Sequence, residues 1–259
     1  MPTEIHPTAV IEKGAELADG VHVGAYAYIG SKVRLGVDNI VHHHATIDGN
    51  TSVGVGNSFF PYSCIGLQTQ DLKYRGGHPA LKIGDNNIFR EYTTVHCATH
   101  EGETTYVGSH SYFLAYIHIA HNCNVGDYVI MSNNATIAGH VTLEDHVNLA
   151  GFAGVHQFCR IGQYAMLGGW SKIVQDVPPF MICDGNPAVM RAPNKVGLER
   201  GGFTHEEMEL ARHIFKVLYM RDLNRSEAIS QIKNHPQADS RIIQATLSFI
   251  DKSTRGLTS

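Results

Sequence analysis

Cysteine is sparse in this sequence and shows no pairing pattern: Cys64, Cys97, Cys123, Cys159 and Cys183 are odd in number, far apart and without any C-x-x-C spacing. That excludes a disulfide framework and a cysteine-based zinc site, and leaves free thiols that pack as small hydrophobes. Charge is also low. Lys and Arg number 20 against 24 Asp and Glu, 17% of the chain in all, for a net charge of −4. This balance rules out a polycationic nucleic-acid clamp and an acidic disordered tail. Long apolar runs are missing too: no stretch approaches the roughly 18 residues of a membrane span, and the opening MPTEIHPTAVIEKGAEL has no basic region followed by an apolar one. The expectation is a cytoplasmic protein with no integral membrane segment and no nucleic-acid partner. In excess are 26 glycines, too many for a helical bundle, and 17 histidines in a chain of 259 residues.

The strongest internal signal is a period of six. Of the 29 positions reached by stepping six at a time from Ile5 to Ile173, only Asp71, Gly77 and Glu101 are not large and apolar. This is neither the 3.6-residue period of a helix nor simple alternation, and it suits short strands joined by tight corners. Small side chains two positions earlier, such as Ala27, Ala45, Thr51 and Ala135, fit a narrow interior. Glycine follows the apolar position at Gly24, Gly30, Gly36, Gly54, Gly66, Gly84, Gly108, Gly126, Gly162 and Gly168. The expectation is that these glycines supply the unusual backbone angles of the corners. Three hexads would close one triangular coil of 18 residues. Residues 67–82 (LQTQDLKYRGGHPALK) abandon the pattern, as a loop replacing a coil would, and Glu101 marks a shorter interruption.

The expected domains are 1–185 for the repeat, 186–203 for a connector opened by prolines, and 204–259 for a helical domain. Thr204 with Glu207 forms a T-x-x-E capping box. Met208, Ala211, Ile214, Phe215, Leu218 and Tyr219 follow at helical spacing, and Ser226 and Asp239 are further candidate caps.

On an 18-residue coil, angular position is residue number modulo 18. His121, His140 and His156 leave remainders 13, 14 and 12 and therefore stack along one edge, on coils about 4.8 Å apart. His118 lies half a strand away. None sits at an interior apolar position. An edge of imidazoles could bind zinc, given convergence at about 2.0 to 2.1 Å, or it could present one general base poised near neutral pH.

The words HIAHNC (118–123), NNATIAGHV (133–141) and GFAGVHQFCRIG (151–162), followed by QDVPPF and DGNPA, resemble the UDP-N-acetylglucosamine O-acyltransferase family of lipid A biosynthesis. The resemblance runs from IHPTAVI through the QDLKY loop to GLERGGF and the helical end. It implies a left-handed parallel β-helix of hexapeptide repeats followed by a small α-helical domain; the hand comes from the resemblance alone. It implies transfer of an R-3-hydroxyacyl group from acyl carrier protein to the 3-hydroxyl of UDP-N-acetylglucosamine, directly and with no cofactor or metal. On the matching positions, His121 would be the general base and the Gly139 backbone N–H the oxyanion donor. His140, His118, His156 and Gln157 would bind the nucleotide-sugar and acyl carbonyl, and Gln70, Asp71 and Lys73 the acyl hydroxyl and other polar groups. Asn194 and Arg200 would hold the uridine and phosphates, and Gly169 would set acyl length. The family is a homotrimer, so the clefts would lie between subunits.

Three positions depart from the family pattern. Asn122 stands where an aspartate often follows the base, so a backbone carbonyl is the expected orienting partner. Gly201 replaces a second arginine, and Met166 and Trp170 flank the open Gly169. Alternatives are the same transfer onto a 3-amino sugar nucleotide, suggested by the FREY and YIHIAHNC words, and a trimeric zinc hydratase or silent binding protein on the same scaffold. The related N-acyltransferase would carry an added N-terminal domain, whereas here the hexads begin at Ile5.

Overall fold

The computed structural model describes residues 2–259. From Glu4 onward the chain winds as a three-sided left-handed parallel β-helix, its faces formed by sheets of 11, 9 and 8 strands. Most strands are two residues long. The first side chain points out and the second in, because successive residues in a strand face opposite sides. In one coil, Phe113, Ile119 and Val125 point inward with exposures of at most 2%. Their strands lie on the first, second and third faces in turn. The coil repeats eighteen residues on, where Tyr112 pairs with Ile130 and His118 with Thr136. Some polar side chains inside pair with one another: Asn39, Asn57 and Asn87 form a buried ladder in which each side-chain carbonyl oxygen accepts the backbone N–H of the residue below it.

Two coils are longer. Ser58 pairs with Ile88 and Ile88 with Tyr112, so these turns carry twelve and six extra residues. The expectation that 67–82 replaces a coil is therefore corrected. Cys64–Leu67 and Ala80–Ile83 keep their places on the second and third sheets, and residues 68–79 are an insertion between them. The second insertion separates Thr94–His96 from Thr104–Val107. Both insertions leave the prism at the same corner, between the second and third faces.

The glycine expectation is also corrected. Of the ten glycines named above, only Gly66 has positive φ. Most corners turn instead on residues three after an interior position, including Tyr26, His44, Tyr92, Tyr116, Asn122, Tyr128, His140, Phe152 and Trp170, all with φ near +60°. These side chains stack on one another from coil to coil, as Tyr92 does on Tyr116 at 4.7 Å and Phe152 on Trp170 at 4.0 Å. The glycines serve close approach. A Cβ at Gly36 would meet the Gly54 carbonyl oxygen at 2.4 Å, and one at Gly162 the Pro179 nitrogen at 2.4 Å.

After the last coil, Met181–Gly185 and Ala188–Pro193 form an antiparallel hairpin. Helices α1 (Lys195–Arg200), α2 (His205–Phe215), α3 (Arg225–Lys233) and α4 (Arg241–Asp251) follow. Thr204 and Glu207 make the expected capping box. The caps of α3 and α4 are Asn224, boxed with Glu227, and Ser240, rather than Ser226 and Asp239, because those side chains reach the open N–H groups of the first turn. Leu210, Ile214, Ile232, Ile242 and Ile243 bury a common core. Among the described residues no helix is long and apolar enough to cross a membrane.

Candidate active site

The corner that carries both insertions also carries His121. Its position follows from the coil: Ile119 points in, Asn122 takes the left-handed turn, and His121 stands between them. The ring lies over Gly139 of the next coil, where a Cβ would come within 2.4 Å of both Cε1 and Nε2. Gly139 therefore makes room for the imidazole. Its N–H has no acceptor among the described residues, and its carbonyl accepts from Phe158 N–H at 3.2 Å.

Three groups fix His121. Nδ1 lies 2.9 Å from Asn122 Oδ1 and 3.0 Å from Thr99 Oγ1, while Nε2 faces Asp71 Oδ2 at 3.8 Å. Thr99 N–H also donates to Asn122 Oδ1, at 3.1 Å, and Asn122 Nδ2 donates to Glu103 Oε2 at 2.8 Å. The oxygen of Asn122 can only accept, so the proton of His121 sits on Nδ1 and the lone pair on Nε2 points outward beside Asp71. Asn122, not a backbone carbonyl, is thus the orienting partner. His140 packs edge-on to His121 at 5.2 Å and stacks on Phe158 at 4.7 Å. Burial, then the neighbouring His121, lowers its pKa. His118 bonds Thr94 Oγ1 at 2.7 Å and meets His96 edge-on at 4.9 Å. Burial, then His96 and His121, pushes His118 down to about 4, so its ring is neutral near pH 7. These rings pack edge to face instead of converging on one point.

The loop insertion brings Asp71 in. Its backbone N–H donates to Thr69 Oγ1, and its Oδ1 accepts the Lys73 N–H at 3.0 Å, which lowers the Asp71 pKa. Gln70 and Lys73 are exposed on the same loop. His156 and Gln157 are exposed one coil below; Val155 accepts from Ala138 N–H and Phe158 donates to Gly139, which seats Gln157 beneath Gly139. Three predicted residues lie elsewhere. Gly169 is on the corner between the first and second faces, beside Trp170, where a Cβ would meet only the Gly151 carbonyl oxygen at 3.4 Å. Asn194 is buried as the cap of α1, accepting from Gly197 N–H and donating to the Tyr164 carbonyl. It lines, with exposed Arg200, Tyr128, His146 and Tyr164, a groove of about 520 Å³ at the third corner. Sequence reasoning missed Thr99, Glu103 and His96. The first two come from the six extra residues that the sequence showed only as a break at Glu101.

The arrangement holds one imidazole with its lone pair outward, a carboxylate beside it and an open backbone N–H beneath it, as a general base for an acyl acceptor requires. A family model described as UDP N-acetylglucosamine O-acyltransferase, domain 2, matches residues 176–258. The chain is 42% identical to the acyl-[acyl-carrier-protein]–UDP-N-acetylglucosamine O-acyltransferase of Thermodesulfovibrio yellowstonii, covering 98% of each. It is 41% identical to the enzyme of that name from Gloeothece citriformis, covering 98% of this chain and 91% of that one. The solved UDP-N-acetylglucosamine O-acyltransferase of Moraxella catarrhalis superposes with a TM-score of 0.94 at 36% identity, covering 98% of this chain and 99% of that one.

Proposed function

The chain belongs to the UDP-N-acetylglucosamine O-acyltransferase family, and from that membership we propose that it moves an R-3-hydroxyacyl group from acyl carrier protein to the 3-hydroxyl of UDP-N-acetylglucosamine, the first step of lipid A biosynthesis, in the cytoplasm. The observation that carries the mechanism is the 2.9 Å contact of His121 Nδ1 with Asn122 Oδ1, an oxygen that only accepts and so leaves the lone pair on Nε2. Nε2 takes the proton of the sugar hydroxyl as its oxygen attacks the thioester carbonyl carbon. The Gly139 N–H donates to the oxyanion of the tetrahedral intermediate. The C–S bond then breaks, and the carrier thiolate takes the proton back from His121. No side-chain nucleophile is needed: the buried thiols of Cys97 and Cys123 are pushed up to about 11 and about 12 by burial. Asp71, with Lys73 and Gln70, receives the acyl 3-hydroxyl, while His118, His140, His156 and Gln157 hold the nucleotide-sugar.

Asn194 and Arg200 belong to the nucleotide site, and Gly169 to the acyl groove, of a cleft formed between copies in a homotrimer. Two features support this reading. His121, Gly169 and Arg200 stand at three different corners of one prism, so one chain cannot surround a ligand with all of them. The outer side of the first face also exposes Ile40, Ile88 and Ile130 on connected strands, an apolar stripe suited to a second copy.

The test offers UDP-N-acetylglucosamine and its 3-amino counterpart together with a panel of hydroxyacyl carrier proteins, read by mass spectrometry. Product on the 3-hydroxyl is expected, and His121→Ala should slow it by about 10²- to 10⁴-fold. Product on the amino sugar alone overturns the acceptor, and an unimpaired His121→Ala overturns the base.

A further inference from the structure

The six-residue insertion does more than close a gap between strands. Glu103 Oε2 accepts from Asn122 Nδ2 at 2.8 Å and from the His100 N–H at 3.0 Å. On the opposite side of the same amide, Asn122 Oδ1 accepts the Thr99 N–H at 3.1 Å and lies 2.9 Å from His121 Nδ1. Asn122 has φ of +59° and its own N–H donates to Thr105 Oγ1, so its backbone is fixed and its amide has only two orientations to choose between. With the amide turned over, its NH₂ would face the Thr99 N–H and its oxygen would face a carboxylate. Glu103 and the Thr99 N–H therefore select one orientation, and that orientation selects the His121 tautomer.

We propose that Glu103 is a positioning residue for the transfer: acting through Asn122, it holds His121 in the Nδ1–H tautomer and balances the imidazolium that forms when Nε2 takes the substrate proton. A carboxylate is present, but one residue removed, with an amide as conductor. Charge-assisted bonds to an amide polarise it, so the acceptor facing His121 is stronger than in an asparagine alone. The inference rests on His121 being the base. The other charged or titratable groups around that ring are Asp71 and Lys73 from the loop, His140 from the next coil, and His96 and His118 from the second face.

The experiment compares wild type, Glu103→Ala, Asn122→Asp, the double variant and His121→Ala, with steady-state kinetics and melting curves on the purified protein. Glu103→Ala should lower kcat by about ten- to hundredfold, leave KM for the sugar nucleotide within about twofold, and move the acidic limb of the kcat/KM profile to lower pH, since the imidazolium loses a favourable charge. Aspartate tolerates the left-handed backbone of position 122 and contacts His121 directly. In Asn122→Asp, Glu103 becomes a like charge against that carboxylate, so removing it should restore kcat rather than lower it. The sign of the Glu103→Ala effect thus reverses between backgrounds. An equal loss in both backgrounds, or an unmoved pH limb, would show that Glu103 only braces the turn to His100 and would overturn the proposal. If His121→Ala stays active, the base assignment itself fails, which is a different result from an indifferent Glu103→Ala beside a dead His121→Ala.

Discussion

Replacing Gly139 with alanine tests the site at its tightest point. The added Cβ would sit 2.4 Å from His121 Cε1 and Nε2 and 3.1 Å from Cδ2. Ordinary carbon contacts are about 3.5 to 4.0 Å, so the ring must retreat by about 1 Å. The backbone does not resist the change, because Gly139 lacks positive φ and the atoms in the way belong to the end of a side chain. The retreat pulls Nδ1 away from Asn122 Oδ1 at 2.9 Å and Thr99 Oγ1 at 3.0 Å, loosening both the tautomer and the aim of Nε2. A misplacement of about 1 Å costs about 10²-fold in rate, or about 2.7 kcal/mol of transition-state stabilisation. The alanine N–H still donates to the oxyanion, so the loss reports the base and not the oxyanion contact. The assay is kcat for product formation from hydroxyacyl carrier protein and UDP-N-acetylglucosamine, with a melting curve on the same sample. A folded Gly139→Ala protein with kcat within about threefold of wild type would refute the reasoning.

Two further predictions concern stability. Phe89 is fully buried between Phe59 and Phe113, at ring distances of 5.1 and 4.9 Å, and Phe89→Ala should cost about 3–5 kcal/mol in urea unfolding; a loss under about 1 kcal/mol would mean that the coils close over the gap. His118 titrates near 4 in the folded chain against 6.5 when free, so between those values the unfolded chain binds the additional proton and acid favours unfolding. The melting temperature should therefore fall as pH drops from 6.5 toward 4, and fall less in His118→Gln, with His96 and His140, also lowered by burial, carrying the remainder; equal slopes in the two proteins would exclude His118 as a source.

The period of six was legible because burial in a narrow prism is set coil by coil. Phe113, Ile119 and Val125 each needed only to be large and apolar, whatever lay above them. The stacking of His121 and His140 followed from the same arithmetic. The glycines were read at the right positions for the wrong reason. Local sequence suggests backbone freedom at Gly36, whereas its cause is the Gly54 carbonyl one coil away, and many left-handed corners went to aromatic residues that pay for their φ by stacking on the next coil.

The sequence by itself determined the fold class and the one edge where the histidines gather, while His121 as base came from the family words and stands as our proposal. The fold class and that edge depend on residue type at fixed spacing along a regular coil. Only the tertiary structure decided what surrounds that base. Asp71 comes from fifty residues upstream, Thr99 and Glu103 from about twenty, on two insertions whose lengths of twelve and six residues return the chain to the same corner. The orientation of Asn122, and through it the proton on His121, is a property of that meeting: each hydrogen bond is directional, and its partner is chosen by the path of the backbone through space.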